Sequence, residues 1–460
     1  MTFPLRKLSI TAFTVTSLFF SSAAAQAETL ADALVSAYEE SGLLQQNRAV
    51  LRAADENVAQ AVAALRPTVT YLLRSQATYQ QGSHTAPFTE SATLNFTLPI
   101  YQFGRGRLAI EAQKETVLAT REALVGVEQQ VLLRAVQAYM NVRRDAEFVS
   151  LSHNNVRLIT QELRAARDRF EVGEITRTDV SLAEARLASA RATLAAREGG
   201  LQVAREEYRA AVGHYPNRLA SPPRAPSTAS NIDAAQTLAR NNHPDLKRAQ
   251  RDVTVAELNL MLTERQMLPT VSARASGSVI ENSRDNATVG LDITGPIYQG
   301  GQLKSAQRAS MAQRDAARAG VLLAGQSVQQ NVGVAWSNLA ISGAQIRASN
   351  QAIRASRAAW EGIREEARLG ARTTLDVLNA EQDLLDARSN LVTAQSDAQV
   401  AAYSLLSSMG LLTVKHLNLG VQTYDPAAYY NSVSNAPTRP TSEQGERLDA
   451  LLRSIAGGGN

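Results

Sequence analysis

Few residues of this chain could carry out enzyme chemistry, and those few do not cluster. Cysteine is absent, so the chain has no thiol nucleophile, no thiolate metal site and no disulfide. Gly104-Arg105-Gly106 lacks the third glycine and the strand-to-helix setting of a dinucleotide-binding loop. The five histidines stand alone, without metal-ligand spacing or the partners of a triad: His84, His153, His214, His243 and His416. The sequence therefore predicts that the protein is not an enzyme and has no cofactor.

A polar pattern that follows a glycine occurs twice in the chain. Gly173 and Asp179 recur as Gly370 and Asp376, with the same displacement of 197 residues. A carboxylate shortly after a glycine turn is typical of the first turn of a helix, where it meets free backbone N–H groups. For both aspartates this structural role and a functional role remain open at this point.

Other parts of the chain are duplicated in the same way. Pro-Ile-Tyr-Gln occurs at residues 99–102 and again at 296–299, also 197 residues apart. Pro67-Thr68-Val69 recurs as Pro269-Thr270-Val271 at a displacement of 202. The second copy is therefore five residues shorter between this motif and Pro-Ile-Tyr-Gln. Such a loss is tolerated best in a loop between two strands. The chain therefore contains two structurally equivalent halves.

The first residues have the pattern of a secretory signal. Arg6 and Lys7 precede an apolar run from Leu8 to Phe20, and Ala25-Gln26-Ala27 is a small-x-small cleavage pattern. The run is shorter than the about 20 residues that a transmembrane helix needs. We predict a Sec signal peptide at residues 1–27, and no lipid anchor because the chain has no cysteine.

Two short regions alternate between apolar and polar residues, as strands do. We predict β-hairpins at residues 68–98 and 270–294, each with one apolar and one polar face. Their strands are long enough to cross a bilayer when tilted. A half-buried sheet of a soluble protein would alternate in the same way, so periodicity alone leaves both interpretations open.

A very long helical pattern follows each hairpin. Residues 104–170 contain no proline, and they would extend about 100 Å at 1.5 Å per residue. The matching helix is predicted at residues 302–368. Helices of this length are typical of coiled-coil assemblies rather than of compact domains.

Each long helix ends at a glycine turn, and a shorter helix returns at residues 178–212 and 374–409. Both returning helices have an apolar residue at every seventh position, for example Val180, Leu187 and Leu194, which is the repeat of a coiled coil. The returning helices are about half as long as the long helices beside them. We therefore expect the predicted helices at 30–65 and 245–267 to pack along the rest of each long helix.

The domain organisation follows from these elements. We predict a first repeat at residues 28–213, a linker at 214–232, a second repeat at 233–412 and a C-terminal tail at 413–460 that is largely disordered from about residue 432. The net charge of +4 is dispersed along helices, and no basic cluster is interleaved with aromatic residues. Nucleic acid is therefore not an expected partner.

The order of these elements resembles the outer membrane efflux protein (TolC) family. The resemblance covers residues 30–412, and its most specific motifs are Leu98 to Gly104, Gly295 to Gly301 and Gly370 to Asn379. It implies a fold of mixed α and transmembrane β structure, internally duplicated. Three chains would contribute four strands each to a 12-stranded β-barrel in the outer membrane, continuous with a long periplasmic α-helical coiled-coil barrel. Such an arrangement leaves no strand edge in lipid and buries the long helices.

The resemblance also implies roles for individual residues. Asp376 corresponds to a ring of aspartates that favours cations at the periplasmic constriction, and Arg372 to an arginine of the latch that closes it. The family often has a second aspartate where this chain has Asn379, so we expect a weaker ring. The residues implicated fall into three groups. The gate comprises Asp376, Asn379, Arg372, Thr373 and Asp179. The tip turns, where an adaptor would dock, comprise Val172, Gly173, Leu369 and Gly370. The barrel-to-tube junction comprises Pro99, Tyr101, Gly104, Pro296, Tyr298 and Gly301.

We therefore expect an exit duct of a tripartite efflux pump or a type I secretion system in the outer membrane of a Gram-negative bacterium. It would be a homotrimer in contact with outer membrane lipid, with a periplasmic adaptor and an inner-membrane ABC or RND transporter as partners. The alternative is a periplasmic or surface coiled-coil structural protein without channel activity.

Overall fold

The architecture comes from a computed structural model that describes residues 27–77, 88–223, 225–226, 228–280, 285–437 and 447. The predicted signal peptide lies outside these residues apart from Ala27, as do the loop of the first hairpin and most of the predicted disordered tail. The described chain is mostly helical, with one small antiparallel sheet.

The elements follow one another in two similar series. The first half contains α1 (Leu30–Glu40), α2 (Gly42–Ala63), β1 (Thr68–Ala77), β2 (Phe88–Tyr101), α3 (Arg105–Glu171) and α4 (Arg177–Val212). The second half contains α5 (Ile232–Asn242), α6 (Pro244–Arg265), β3 (Thr270–Ile280), β4 (Asn286–Thr294), α7 (Gln302–Arg368) and α8 (Thr374–Ser408). A last helix, α9, spans Pro426–Val433.

The two long helices, α3 and α7, have 67 residues each, which corresponds to about 100 Å. Each runs from the sheet at one end of the protein to a glycine turn at the other, which we call the tip. The shorter helices α4 and α8 return from the tip, and α2 and α6 occupy the length between them and the sheet.

The first predicted helix before the strands is interrupted, whereas the second, at 245–267, corresponds to α6 and is preceded by an additional short helix. The predicted helix 30–65 is broken at Ser41, whose hydroxyl accepts a hydrogen bond from Leu44 N at 3.3 Å and so begins α2. In the second half the helices α5 and α6 meet at His243, and α5 already begins at Ile232, inside the predicted linker. Both breaks are local: a capping side chain or a proline ends one hydrogen-bond series and begins the next.

The four strands form one sheet in the order β1-β2-β3-β4, with every neighbour antiparallel. Because the side chains of a strand alternate, Tyr71, Leu94 and Val289 share one face, and Asn95, Ser276 and Asp292 share the other. Among the strands that the structure describes, β1 and β4 form the two edges of the sheet.

The main apolar core lies midway along the long helices. It contains Leu34 from α1, Tyr139 from α3, Tyr208 from α4 and Leu405 from α8, all nearly inaccessible to solvent. Tyr208 donates a hydrogen bond to the Glu28 carboxylate, and Tyr139 donates to Ala220 O at 2.7 Å. The start of the described chain and the linker are thereby fixed to the core.

The C-terminal segment has more structure than the sequence predicts. After α8 the chain continues along the helices as far as residue 437, and α9 packs against α2, where Tyr429 donates a hydrogen bond to Glu56 at 2.6 Å. Arg66 donates to Ala436 O at 2.8 Å. This order depends on contacts with α2, which a local sequence pattern does not reveal.

Candidate functional site

The two glycine turns lie side by side at the tip. A groove of about 490 Å³ between them is lined from the first half by Glu174, Thr176 and Asp179 and from the second by Arg372 and Thr373, among others. Residues almost 200 positions apart in the sequence therefore form one surface. Most of the tip residues singled out from the sequence belong to it.

Each turn is built around a glycine with a left-handed backbone. Gly173 has φ +79° and Gly370 has φ +78°, a conformation that side chains with a Cβ rarely adopt. The residue before each glycine is a large aliphatic that points into solvent: Val172 is 71% exposed and Leu369 is 85% exposed. The tip thus presents two equivalent apolar side chains that the described part of the chain leaves exposed.

Asp376 and Asp179 both cap the helix that returns from the tip. Asp376 Oδ2 accepts hydrogen bonds from Thr373 N at 3.0 Å and from Thr373 Oγ1 at 2.9 Å, and Asp376 N donates to Thr373 Oγ1 at 3.2 Å. Thr176 and Asp179 form the same reciprocal pair. Both aspartates therefore have the structural role that the sequence left open, which is to cap the first turn of the returning helix.

These hydrogen bonds affect the charge of Asp376. The bonds from the backbone and then the side chain of Thr373 favour the ionised carboxylate and lower its pKa, with a further contribution from Arg372. Asp376 is consequently a fixed negative charge at the tip at neutral pH.

Arg372 pairs with a carboxylate of its own hairpin. Its Nε lies 2.8 Å from Glu366 Oε2, across the glycine turn of the same hairpin, and this contact raises the pKa of Arg372. Within one chain, Arg372 therefore fastens its own turn and makes no bond to the α3–α4 turn. The sequence pattern could not show this, because the pair depends on how the turn brings Glu366 back beside Arg372.

Two polar contacts join the α3–α4 hairpin to the α7–α8 hairpin near the tip. Arg186 of α4 donates to Asn379 Oδ1 at 2.9 Å, and Arg364 of α7 lies 3.6 Å from Glu162 of α3. Between them Leu378 of α8 inserts into an apolar cluster formed by α3 and α4. Asn379 was singled out from the sequence, whereas Arg186, Glu162 and Arg364 were not, because no local motif marks them.

The predicted junction lies at the opposite end and differs between the halves. Pro99 and Tyr101 lie inside β2, where the pairing with β3 is irregular, whereas Pro296 and Tyr298 follow the end of β4. Gly104 (φ +80°) and Gly301 (φ +87°) precede the first residues of α3 and α7. The glycines make the change of direction from strand to helix in both halves.

The sheet has two chemically different faces. On one face apolar side chains are well exposed, including Tyr71 (78%), Val289 (89%) and Ile293 (69%). On the other face Arg274 pairs with Asp292 at 3.2 Å, and Ser276 and Thr288 are hydrogen bonded at 2.6 Å. An exposed apolar face of this kind is typical of a surface that contacts a membrane or another protein.

Neither a group of metal ligands nor a membrane-spanning helix is found among the described residues. Within the described ranges, no three His, Asp or Glu side chains are grouped as metal ligands. None of the helices described is both long and apolar enough to span a bilayer. The tip carries charged side chains, and two polar contacts join its two hairpins.

Comparison with known proteins gives a consistent result along the chain. The profile of the outer membrane efflux proteins matches residues 33–214 and again 236–411. The outer membrane efflux protein BepC of Brucella suis biovar 1 (strain 1330) is 34% identical over 424 residues, which is 90% of this chain and 92% of BepC. The outer membrane protein TolC of Escherichia coli (strain K12) is 25% identical over 84% of each chain.

Solved structures agree with the fold. A crystal structure of CusC superimposes with a TM-score of 0.74 at 18% identity, covering 84% of this chain and 92% of CusC. VceC from Vibrio cholerae superimposes with a TM-score of 0.70 at 22% identity, covering 83% of this chain and 96% of VceC.

Proposed function

The chain belongs to the outer membrane efflux protein family, and we propose that three copies form one duct from the outer membrane through the periplasm. Its activity is that of an outer membrane exit channel for efflux or secretion. The family match over both halves of the chain favours this channel over a structural coiled coil without channel activity.

The free edges of the sheet support a closed assembly. Strands β1 and β4 each leave a row of backbone N–H and C=O groups unpaired, and one face of the sheet is apolar and exposed. Unpaired backbone groups in hydrocarbon cost several kcal/mol each. Pairing β4 of one copy with β1 of the next removes all edges, and three copies with four strands each give a 12-stranded barrel.

The surface of α7 supports the same assembly along the tube. Leu322, Leu323 and Ile341 are 69%, 65% and 52% exposed. A long helix with aliphatic side chains in water is stabilised when a neighbouring helix covers them. The neighbouring copy supplies that helix in the proposed trimer.

The tip is the proposed gate. Three copies of Asp376 form a ring of negative charge that favours cations, with Asn379 one turn further along as a neutral neighbour. Arg372 and Thr373 hold the turn, and the contacts from Arg186 and Glu162 keep the two hairpins together. Opening requires these contacts to separate.

Transport through the duct is passive, because the chain supplies no energy source. A periplasmic adaptor docks on the apolar tip residues Val172 and Leu369, and an inner-membrane ABC or RND transporter drives the substrate. In the proposed cell context the protein is made with a Sec signal peptide, is not lipidated, and lies in the outer membrane of a Gram-negative bacterium.

The single observation that carries the gate proposal is the convergence of both turns on one charged groove, and planar-bilayer conductance tests it. We expect small, cation-preferring steps from the detergent-purified protein. Asp376→Ala should weaken cation preference, and Arg372→Ala should strengthen it, because Asp376 and Glu366 lose the positive charge beside them.

Asp32→Ala is the matched control, since it removes the same reciprocal Thr–Asp cap from α1, away from the tip. Steps whose selectivity does not respond to Asp376→Ala would place the constriction elsewhere. A protein that remains soluble without detergent and gives no steps would contradict the duct itself.

A further inference from the structure

Glu381 is a buried carboxylate whose hydrogen bonding is incomplete. It lies on α8, one and a half turns beyond Asp376, and only 5% of it is exposed. No donor in the described part of the chain lies within hydrogen-bond distance of its buried Oε1. A buried carboxylate without such partners is costly when ionised.

The surroundings of Glu381 belong to three helices. A cavity of about 60 Å³ beside it is lined by Leu158 of α3, by Trp360 of α7 and by Arg388 of α8. Trp360 Nε1, on the same cavity, is also buried without an acceptor. The charged groups that face Glu381 are Glu162 from α3, Arg364 from α7 and Arg388 from its own helix.

The duplication shows what is unusual about this environment. In the first half Glu184 occupies the position of Glu381, and it pairs with Arg167 at 2.6 Å while both side chains are about half exposed. The equivalent arginine of the second half is Arg364, but it lies beside Glu162 at 3.6 Å. Two carboxylates therefore share one arginine at the interface between the hairpins, and Glu381 is the more deeply buried of the two.

This geometry makes the charge of Glu381 dependent on packing. Burial, and after it the negative charge of Glu162, raises the pKa of Glu381 to about 7, although Arg364 opposes the shift. When the hairpins separate, the carboxyl meets water and returns to an ordinary glutamate pKa. The packed arrangement therefore binds the proton more strongly, so acid stabilises it and a rise in pH through neutrality weakens it.

We propose that Glu381 is a proton-responsive positioning residue of the gate, which holds α8 against α3 when neutral and loosens that contact when ionised. Ionised Glu381 either draws Arg364 away from Glu162 or takes up water, and both outcomes weaken the contact between the hairpins. This inference rests on the proposed gate for its effect on transport, but the titration at the interface does not depend on it.

The experiment uses Trp360 as a local probe. The chain has two tryptophans, so Trp336→Phe leaves Trp360 as the only one. In the detergent-purified full chain, we expect Trp360 fluorescence to change with a midpoint near pH 7. Glu381→Gln should abolish this transition, Glu162→Gln should move its midpoint towards lower pH, and the exposed counterpart Glu184→Gln should leave it unchanged.

The same proteins are then measured in planar bilayers. Between about pH 4.5 and pH 7.5 we expect the ratio of open to closed channels to rise on the order of a hundredfold, because the pKa of Glu381 is about 7 in the packed state and 4.5 for an ordinary glutamate, and each unit of that difference is a factor of ten. Glu381→Gln should remain in the low-pH behaviour throughout, while Glu184→Gln follows the unsubstituted chain.

The possible outcomes separate the two proposals. A fluorescence transition that survives Glu381→Gln overturns the assignment to Glu381. A Glu381-dependent transition without any change in open probability overturns its coupling to the gate. If no preparation conducts at any pH, the proposed duct fails, and the fluorescence titration still decides whether Glu381 responds to protons.

Discussion

At the scale of single residues, one side chain at the tip has more than one task. Asp376 caps α8 through Thr373, and the same carboxylate is the proposed selectivity charge. The sequence indicates a first-turn role for both Asp179 and Asp376, because each follows a glycine turn, but it leaves that role and a functional one open. It could not predict the partners of Arg372 and Asn379. Glu366 is brought to Arg372 by the turn, and Arg186 is 193 positions from Asn379.

We expect Thr373→Ala to destabilise the first turn of α8 by about 1 kcal/mol, because the cap loses its hydroxyl partner. Backbone amide hydrogen exchange in that turn measures the loss. Thr176→Ala should have a similar effect on α4 only. Since the pKa of Asp376 is lowered, protection in the unsubstituted chain should be constant at neutral pH and fall only in strong acid. A loss of protection already near neutrality would contradict the cap.

At the scale of helices and strands, the sequence predicts the long uninterrupted helices but not the short changes that depend on tertiary packing. The absence of proline between Gly104 and Phe170 predicts a helix at 104–170, and α3 spans Arg105–Glu171. The break at Ser41 was missed because apolar residues continue in helical period across it. The order of residues 426–433 was missed because it depends on packing against α2.

We expect Arg186→Ala to loosen the two hairpins, because it removes the hydrogen bond from α4 to Asn379 on α8. A hydrogen bond between exposed side chains contributes about 0.5 to 1.5 kcal/mol, so the open probability in planar bilayers should rise several-fold. Arg167→Ala removes the same charge but breaks only a contact inside the α3–α4 hairpin. An equal response to both substitutions would show that charge, not the contact between hairpins, is responsible.

The repeat shows why equivalent residues do not have equivalent environments. Sequence comparison pairs Glu184 with Glu381, and both lie on a returning helix. Glu184 remains in solvent beside Arg167, whereas Glu381 is enclosed because α3 packs against α8. A periodic pattern fixes the position of a residue along its helix, but the helices that surround it are set by the assembly of the whole chain.

At the scale of the whole molecule, the resemblance inferred from the repeated motifs is confirmed by the family match, and the described chain is mostly helical with one antiparallel sheet. The fold places a sheet with two open edges at one end and a charged double turn at the other. Both ends expose groups that a neighbouring copy would cover, which supports the proposed closed assembly of three.

The most direct test of that central claim is disulfide cross-linking of the sheet edges, which the absence of native cysteine makes possible. Tyr71→Cys on β1 is combined in turn with Ala287→Cys, Val289→Cys or Leu291→Cys on β4, all on the apolar face. Leu94→Cys with Gly277→Cys is the control, because these residues are opposite each other within one chain and should give only monomer. For a closed trimer we expect at least one edge pair to yield covalent dimers and trimers after oxidation, and nothing larger. A ladder extending beyond trimer, or no cross-link between chains at any register, would contradict it.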